Sequence, residues 1–135
     1  MKARDGNNRH AHRIVPMAAG PQLYKWDDVV LEHVRDGISR KFIAGDREML
    51  AQIHLKRGAI VPIHSHESEQ LTYVLTGALK FSLDGRDITV RPGELLRIPS
   101  WMPHSAEALE DTFELDLFSP IRQDWIDGTD DYFRT

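Results

Sequence analysis

Hydrophobic and polar positions alternate along most of this chain with period two, as expected of strands that bury one face. Met49, Ala51, Ile53 and Leu55 alternate with Leu50, Gln52, His54 and Lys56, and Leu79, Phe81 and Leu83 share one face of residues 78–83. Further extended segments are predicted at residues 29–31, 38–44, 60–66, 70–75, 88–90, 94–98, 105–108 and 112–118. Turn chemistry separates them: Thr76-Gly77, Asp84-Gly85 and Arg91-Pro92-Gly93, where Gly and Asp tolerate positive φ and Pro fixes a bend. Short strands at near-regular spacing predict an all-β barrel or sandwich, and no stretch between Trp26 and Phe118 has a convincing helical period. Residues 1–21 hold few large apolar side chains and are predicted to be a loose tail, in which Met17 offers an alternative start. The barrel domain is assigned to residues 22–119. Residues 120–135 form an acidic extension whose Trp125, Ile126, Tyr132 and Phe133 are predicted to dock on the barrel or on a partner subunit. These aromatic residues are read as packing contacts rather than ligand contacts.

Bulk composition narrows the classes. The 135 residues carry a net charge of −4, which gives no basic footprint for nucleic acid. There is no cysteine, so disulfides and thiolate metal sites are excluded. No apolar run reaches the length of a membrane span, and the polar, basic start is not followed by the apolar core of a secretory signal. Cytoplasm is the expected location.

The candidate chemistry centres on His64-Ser65-His66. Residues i and i+2 of an extended segment face the same way, with Cβ atoms about 7 Å apart, a gap two imidazole arms can close on one ion. A third histidine and a carboxamide would complete a nitrogen-rich, four-ligand site with room for a substrate. His10-Ala11-His12 has the same spacing, but no strand pattern surrounds it, and it is read as a decoy. On the last predicted strand Glu114, Asp116 and Phe118 share one face, with Phe113, Leu115 and Leu117 on the other.

Two motifs resemble those of the cupin superfamily. Gly58-AIVPI-His64-Ser65-His66-ESE-Gln70-LTYVLT-Gly77 matches the first, with Gln70 where most members have Glu, and Gly93-ELLRI-Pro99-SWMP-His104 matches the second, with Trp101 in place of the usual Gly. The resemblance implies a single antiparallel jelly-roll barrel. It also implies that His64, His66, Gln70 and His104 hold one divalent transition metal ion (Zn, Ni, Fe or Mn), and that the protein is a homodimer acting on a small molecule.

The Gln variant is similar to the small cupins of pectin and alginate breakdown, which open the ring of unsaturated monouronates and carry Asp-x-Phe followed four positions later by Arg. Asp116-Leu117-Phe118-SPI-Arg122 fits that spacing. It implies Asp116 as proton carrier, Arg122 as a carboxylate clamp and Phe118 as a stacking surface. Trp101 and His54 are further candidates for substrate contact.

Three neutral imidazoles and an amide leave a bound ion's +2 charge uncompensated, which favours Lewis-acid work over redox chemistry. A metal-dependent dioxygenase of a small diol or flavonol, and a non-catalytic small-molecule-binding cupin, are the alternatives. With ordinary imidazole titration, metal is expected to leave as pH falls toward and below about 6.5.

Overall fold

The computed structural model describes residues 20–134. Met17 and the His10/His12 pair lie outside the described residues. A 3₁₀ turn at Trp26–Asp28 leads into ten strands: β1 (Glu32–Arg35), β2 (Ile38–Ala44), β3 (Met49–Leu55), β4 (Ile60–His64), β5 (Glu69–Thr76), β6 (Leu79–Leu83), β7 (Arg86–Val90), β8 (Leu95–Ile98), β9 (His104–Ala108) and β10 (Thr112–Ser119). Two short helices follow, α1 (Gln123–Asp127) and α2 (Asp131–Arg134). The first strand begins at Glu32, beyond the β-branched run Val29–Leu31 expected to form it. Of that run Val29 is buried, while Val30 and Leu31 are half exposed.

The strands form two facing antiparallel sheets, ordered β1-β2-β3-β10-β5-β8 and β4-β9-β6-β7. This is the jelly-roll arrangement, with the sheets opposed rather than joined in one continuous ring of hydrogen bonds. The alternation in β3 resolves as the period-two rule requires: Met49, Ala51, Ile53 and Leu55 are buried, and Leu50 and His54 are exposed. They pack with Ile38 and Phe42 of β2 against Leu79, Phe81 and Leu83 of β6. Each buried side chain of that size contributes about 1.5–3 kcal/mol by leaving water.

β10 reverses the usual polarity. Thr112, Glu114, Asp116 and Phe118 point inward, while Phe113 and Leu115 are only half buried and Leu117 is exposed. Its pairing with β3 sets this face, because Glu114 lies opposite Ile53 and Asp116 opposite Ala51. Gly77 follows β5 at φ +91, and a Cβ there would collide with the Asp111 carbonyl and Thr112. Only glycine serves at this last position of the first motif.

Candidate metal centre

Both sheets contribute to one chamber. His64 closes β4 and His104 opens β9, and the two are direct cross-strand partners. His66 lies just past the end of β4, in the loop before β5. Gln70 enters from β5 and Asp116 from β10. One side-chain nitrogen from each of His64, His66 and His104 lies within 4.8 Å of the other two. Their rings are 4.3–5.5 Å apart, centroid to centroid.

The hydrogen bonds fix which nitrogen of each ring is free. Nδ1 of His64 faces the Pro62 carbonyl at 2.8 Å, Nδ1 of His66 the Ser68 carbonyl at 2.9 Å, and Nδ1 of His104 the Met102 carbonyl at 2.8 Å. A carbonyl can only accept, so each Nδ1 carries the proton and each Nε2 keeps its lone pair. These bonds orient the rings as outer partners do around a metal-bound histidine. His104 Nε2 is buried with no partner among the described residues.

Gln70 gives a sharper test. Its Nε2 donates to Thr72 Oγ1 at 2.9 Å and, at 3.4 Å, to Asp116 Oδ1, which turns Oε1 toward His66 Nε2 at 3.1 Å. Two lone pairs therefore face each other in a buried place. A cation bound by both removes that repulsion, so the donor set fits a divalent metal ion. It is a neutral N₃O set with no thiolate, compatible with Zn, Ni, Fe or Mn.

Burial keeps these rings neutral. It lowers the proton affinity of His64 to a pKa of about 3, helped by His104, and that of His66 to about 4, helped by Arg122. His104 is lowered for the same first reason. The carboxyls move the other way. Burial raises Asp116, with hydrogen bonds from Glu114 and Thr72 pulling it back, and Glu114 goes well above its ordinary value through burial and the neighbouring Asp116. Both carboxyls are thus held above their ordinary values, Glu114 the further, so Asp116 gives up its proton before Glu114 does. Thr72 Oγ1 donates to Asp116 at 2.6 Å and holds its carboxylate beside Gln70.

The chamber leaves a cavity of about 40 Å³. Glu114 and Asp116 line it beside Ile53, Leu55, Leu79 and Phe81, and Glu114 Oε1 is a second buried polar atom without a partner. Phe118 forms part of the wall, with its ring edge-on to His66 at 5.7 Å. Arg122 also lines the chamber, but its guanidinium is engaged by Asp124 and Tyr132.

Two sequence candidates stand elsewhere. His54 is on the outer face of β3, stacked on Phe113 at 4.6 Å, because the register that buries Ile53 turns its neighbour out. Trp101 is 63% exposed on the rim and does not line the chamber. Its φ of +66 is the conformation that the motif's usual Gly adopts freely. Its N–H donates to the His66 carbonyl at 2.8 Å, tying the two metal-motif loops together.

Sequence reasoning did not assign Glu114 or Tyr132 to the site. Glu114 carried a signal, since it shares a strand face with Asp116. Tyr132 carried none: it reaches His64 only because α2 folds back over the mouth.

The family model of the cupin domain matches residues 51–119, half of the chain. The chain belongs to the cupin family. Among solved structures this cupin is similar to KdgF from Halomonas sp., with 34% identity over 77% of this chain and 99% of that one and a TM-score of 0.71. The polyketide cyclase RemF from Streptomyces resistomycificus is 26% identical over 76% and 81% of the two chains, with a TM-score of 0.65. An RmlC-like cupin from Shewanella frigidimarina, 23% identical over 78% and 96% with a TM-score of 0.72, shares the fold. No curated protein sequence matches this cupin. Among its described residues no helix is long and apolar enough to cross a membrane.

Proposed function

We propose that this cupin is a metal-dependent enzyme that opens or isomerises a small oxygen-rich acid of the unsaturated uronate type. His64, His66, Gln70 and His104 would hold the ion. The observation that carries the reading is the chamber in which three Nε2 lone pairs and the Gln70 oxygen converge beside Asp116. The motif resemblance to uronate-degradation cupins and the 34% identity to Halomonas KdgF support it.

A bound divalent ion in a neutral ligand set supplies strong polarisation of a substrate oxygen. The chain's own residues do the rest. Asp116, ionised in a dry wall and held by Thr72, takes a proton from a substrate carbon or hydroxyl. Glu114 keeps the neighbouring position protonated, so Asp116 faces no second negative charge. Arg122 binds the substrate carboxylate, and Phe118 stacks on the substrate ring.

The test uses metal-loaded protein and an unsaturated monouronate, following loss of the enol-ether absorbance. Turnover is expected, and Asp116→Asn should slow it by about 10²–10⁴-fold. An Asp116→Asn variant as fast as wild type would remove Asp116 from the chemistry.

A homodimer belongs to the same proposal. The outer face of the larger sheet lines up Ile43, Leu50, Leu117 and Leu71 in register across four strands, with Leu50 and Leu117 exposed. Such a stripe suits a second copy of the chain. Sedimentation of wild type against Leu117→Lys checks it, with the dimer expected to dissociate in the variant.

A further inference from the structure

The mouth of the chamber is filled from within the chain. The Tyr132 ring lies on His64, 4.2 Å between centroids and 17° from parallel, and its hydroxyl is hydrogen-bonded to Arg122 Nη2. Arg122 also grips Asp124 with both prongs, Nε to Oδ1 at 3.0 Å and Nη2 to Oδ2 at 2.8 Å. This fork on a carboxylate is the geometry that a ligand carboxylate would take. Only about 40 Å³ of the chamber remains open to the centre of a water molecule. Sites for organic ligands need roughly 300–1,000 Å³, so the chamber in this state holds a few waters and no six-carbon acid.

The extension is not held equally along its length. Trp125 and Phe133 are 3% exposed and Asp130 1%, and the Arg40 guanidinium stacks on Trp125 at 4.0 Å. These residues anchor it. The side chain of Asp124 is 34% exposed and can swing to solvent while the anchors stay.

We propose that Asp124 and Tyr132 decide which ligands the site admits. Asp124 is a resident carboxylate on Arg122. A ligand that brings its own carboxylate displaces Asp124, frees Tyr132 from His64 and opens the chamber, whereas a neutral polyol leaves it shut. The inference rests on the carboxylate-binding role given to Arg122 above.

The experiment uses the full chain, with D-galacturonate as a saturated acid probe and D-galactose as its neutral counterpart. Affinities come from titration calorimetry. The three tyrosines, labelled as 3-fluorotyrosine, give separate ¹⁹F signals, assigned with Tyr24→Phe and Tyr73→Phe. Asp124→Asn should bind galacturonate about ten-fold tighter than wild type, because the competent state no longer has to compete with the internal carboxylate. Asp127→Asn, in the same helix, should match wild type. Galacturonate, and not galactose, should move the Tyr132 signal.

Equal affinity in wild type and Asp124→Asn, with the Tyr132 signal unmoved on binding, overturns this inference and leaves the carboxylate role of Arg122 standing. Failure of galacturonate to bind either protein overturns both. The fluorine measurement is made on unmutated position 124 and decides the matter even where Asp124→Asn does not fold.

Discussion

Two groups of buried and half-buried ionisable residues occupy this small barrel, and they are built on different terms. At the base of the C-terminal extension Glu32, Arg40, Asp130 and Arg134 close a ring. Arg40 pairs with Glu32 at 2.9 Å and with Asp130 at 2.8 Å, and Arg134 pairs with Asp130 at 2.9 Å and with Glu32. All four carboxylate oxygens have a guanidinium partner. In the chamber a few residues away, Glu114 Oε1 and His104 Nε2 have none, and Gln70 Oε1 faces a lone pair. A buried polar atom left unpaired costs about 1–3 kcal/mol. Arg40 Nη2 in the ring is also buried without a partner, so the difference lies in charge: the ring matches every carboxylate oxygen with a guanidinium, whereas the chamber leaves acceptor atoms turned inward with no donor to meet them.

The ring should yield the largest effect. Asp130→Ala leaves the Arg40 charge buried beside a missing partner, and breaking such a pair costs about 3–5 kcal/mol. Urea denaturation should show a loss of that size. Zinc affinity, measured where the variant is still folded, should stay near wild type. A loss below about 1 kcal/mol would mean that the ring does not clamp the extension, and the contrast with the chamber would fade.

His104→Ala is the mirror experiment. Zinc affinity, read by competition with a chromophoric chelator, should fall by about 100-fold or more, beyond the range seen for outer-shell changes. Metal-free stability should drop less than in Asp130→Ala, because a ring with an unpaired nitrogen contributes less than a paired charge. If zinc affinity is unchanged, the three histidines are not the metal's ligands.

The histidines were legible in the sequence because their spacing is local. His64 and His66 declare themselves two residues apart, and the motifs carry Gln70 and His104 into place. The barrel was legible for a similar reason, since Asp84-Gly85 and the alternation of β6 are short-range signals. What escaped depends on cross-strand register and on chain return. The alternation of β3 left open whether Gln52 and His54 or Ile53 and Leu55 face inward. In β10 the polar face is the inner one, as the roles implied for Asp116 and Phe118 require, but alternation alone does not decide it and the pairing with β3 does. Tyr132 meets His64 across a sequence gap that no periodicity spans.

Acidity should separate the two groups further. An unfolded histidine takes up its proton near pH 6.5, whereas folded His64 and His66 resist protonation down to about 3 and 4. Between those values the unfolded chain binds more protons, so stability falls as pH falls through that window. The metal-free melting temperature should decline below pH 6.5, less steeply than the histidines alone would give, because the raised carboxyls of Glu114 and Asp116 gain stability as pH falls. Release of bound metal is expected at lower pH than ordinary imidazole titration near 6.5 gives. Protons compete for Nε2 only near the lowered values, so zinc should be retained on dialysis at pH 5 and lost near pH 4. Retention is checked by elemental analysis alongside circular dichroism, which separates release from unfolding. Loss of zinc at pH 6 from folded protein would show that the rings are not shielded as the chamber implies.

The smallest effect belongs to His54. It is a histidine on a strand next to β10, like the ligands in type but turned to the outer face. Its ring stacks on Phe113 and touches none of the chamber. Burial and neighbouring Lys41 lower its proton affinity, yet no buried atom waits for it. His54→Ala should change stability by about 0.5 kcal/mol or less, the usual range for surface positions, and should leave zinc affinity and turnover unchanged. The comparison with His104→Ala isolates position from residue type, since each variant removes one imidazole from the same barrel. A large loss of turnover in His54→Ala, with zinc still bound, would mean that substrate reaches the outer face of β3, and the chamber would then not be the whole site.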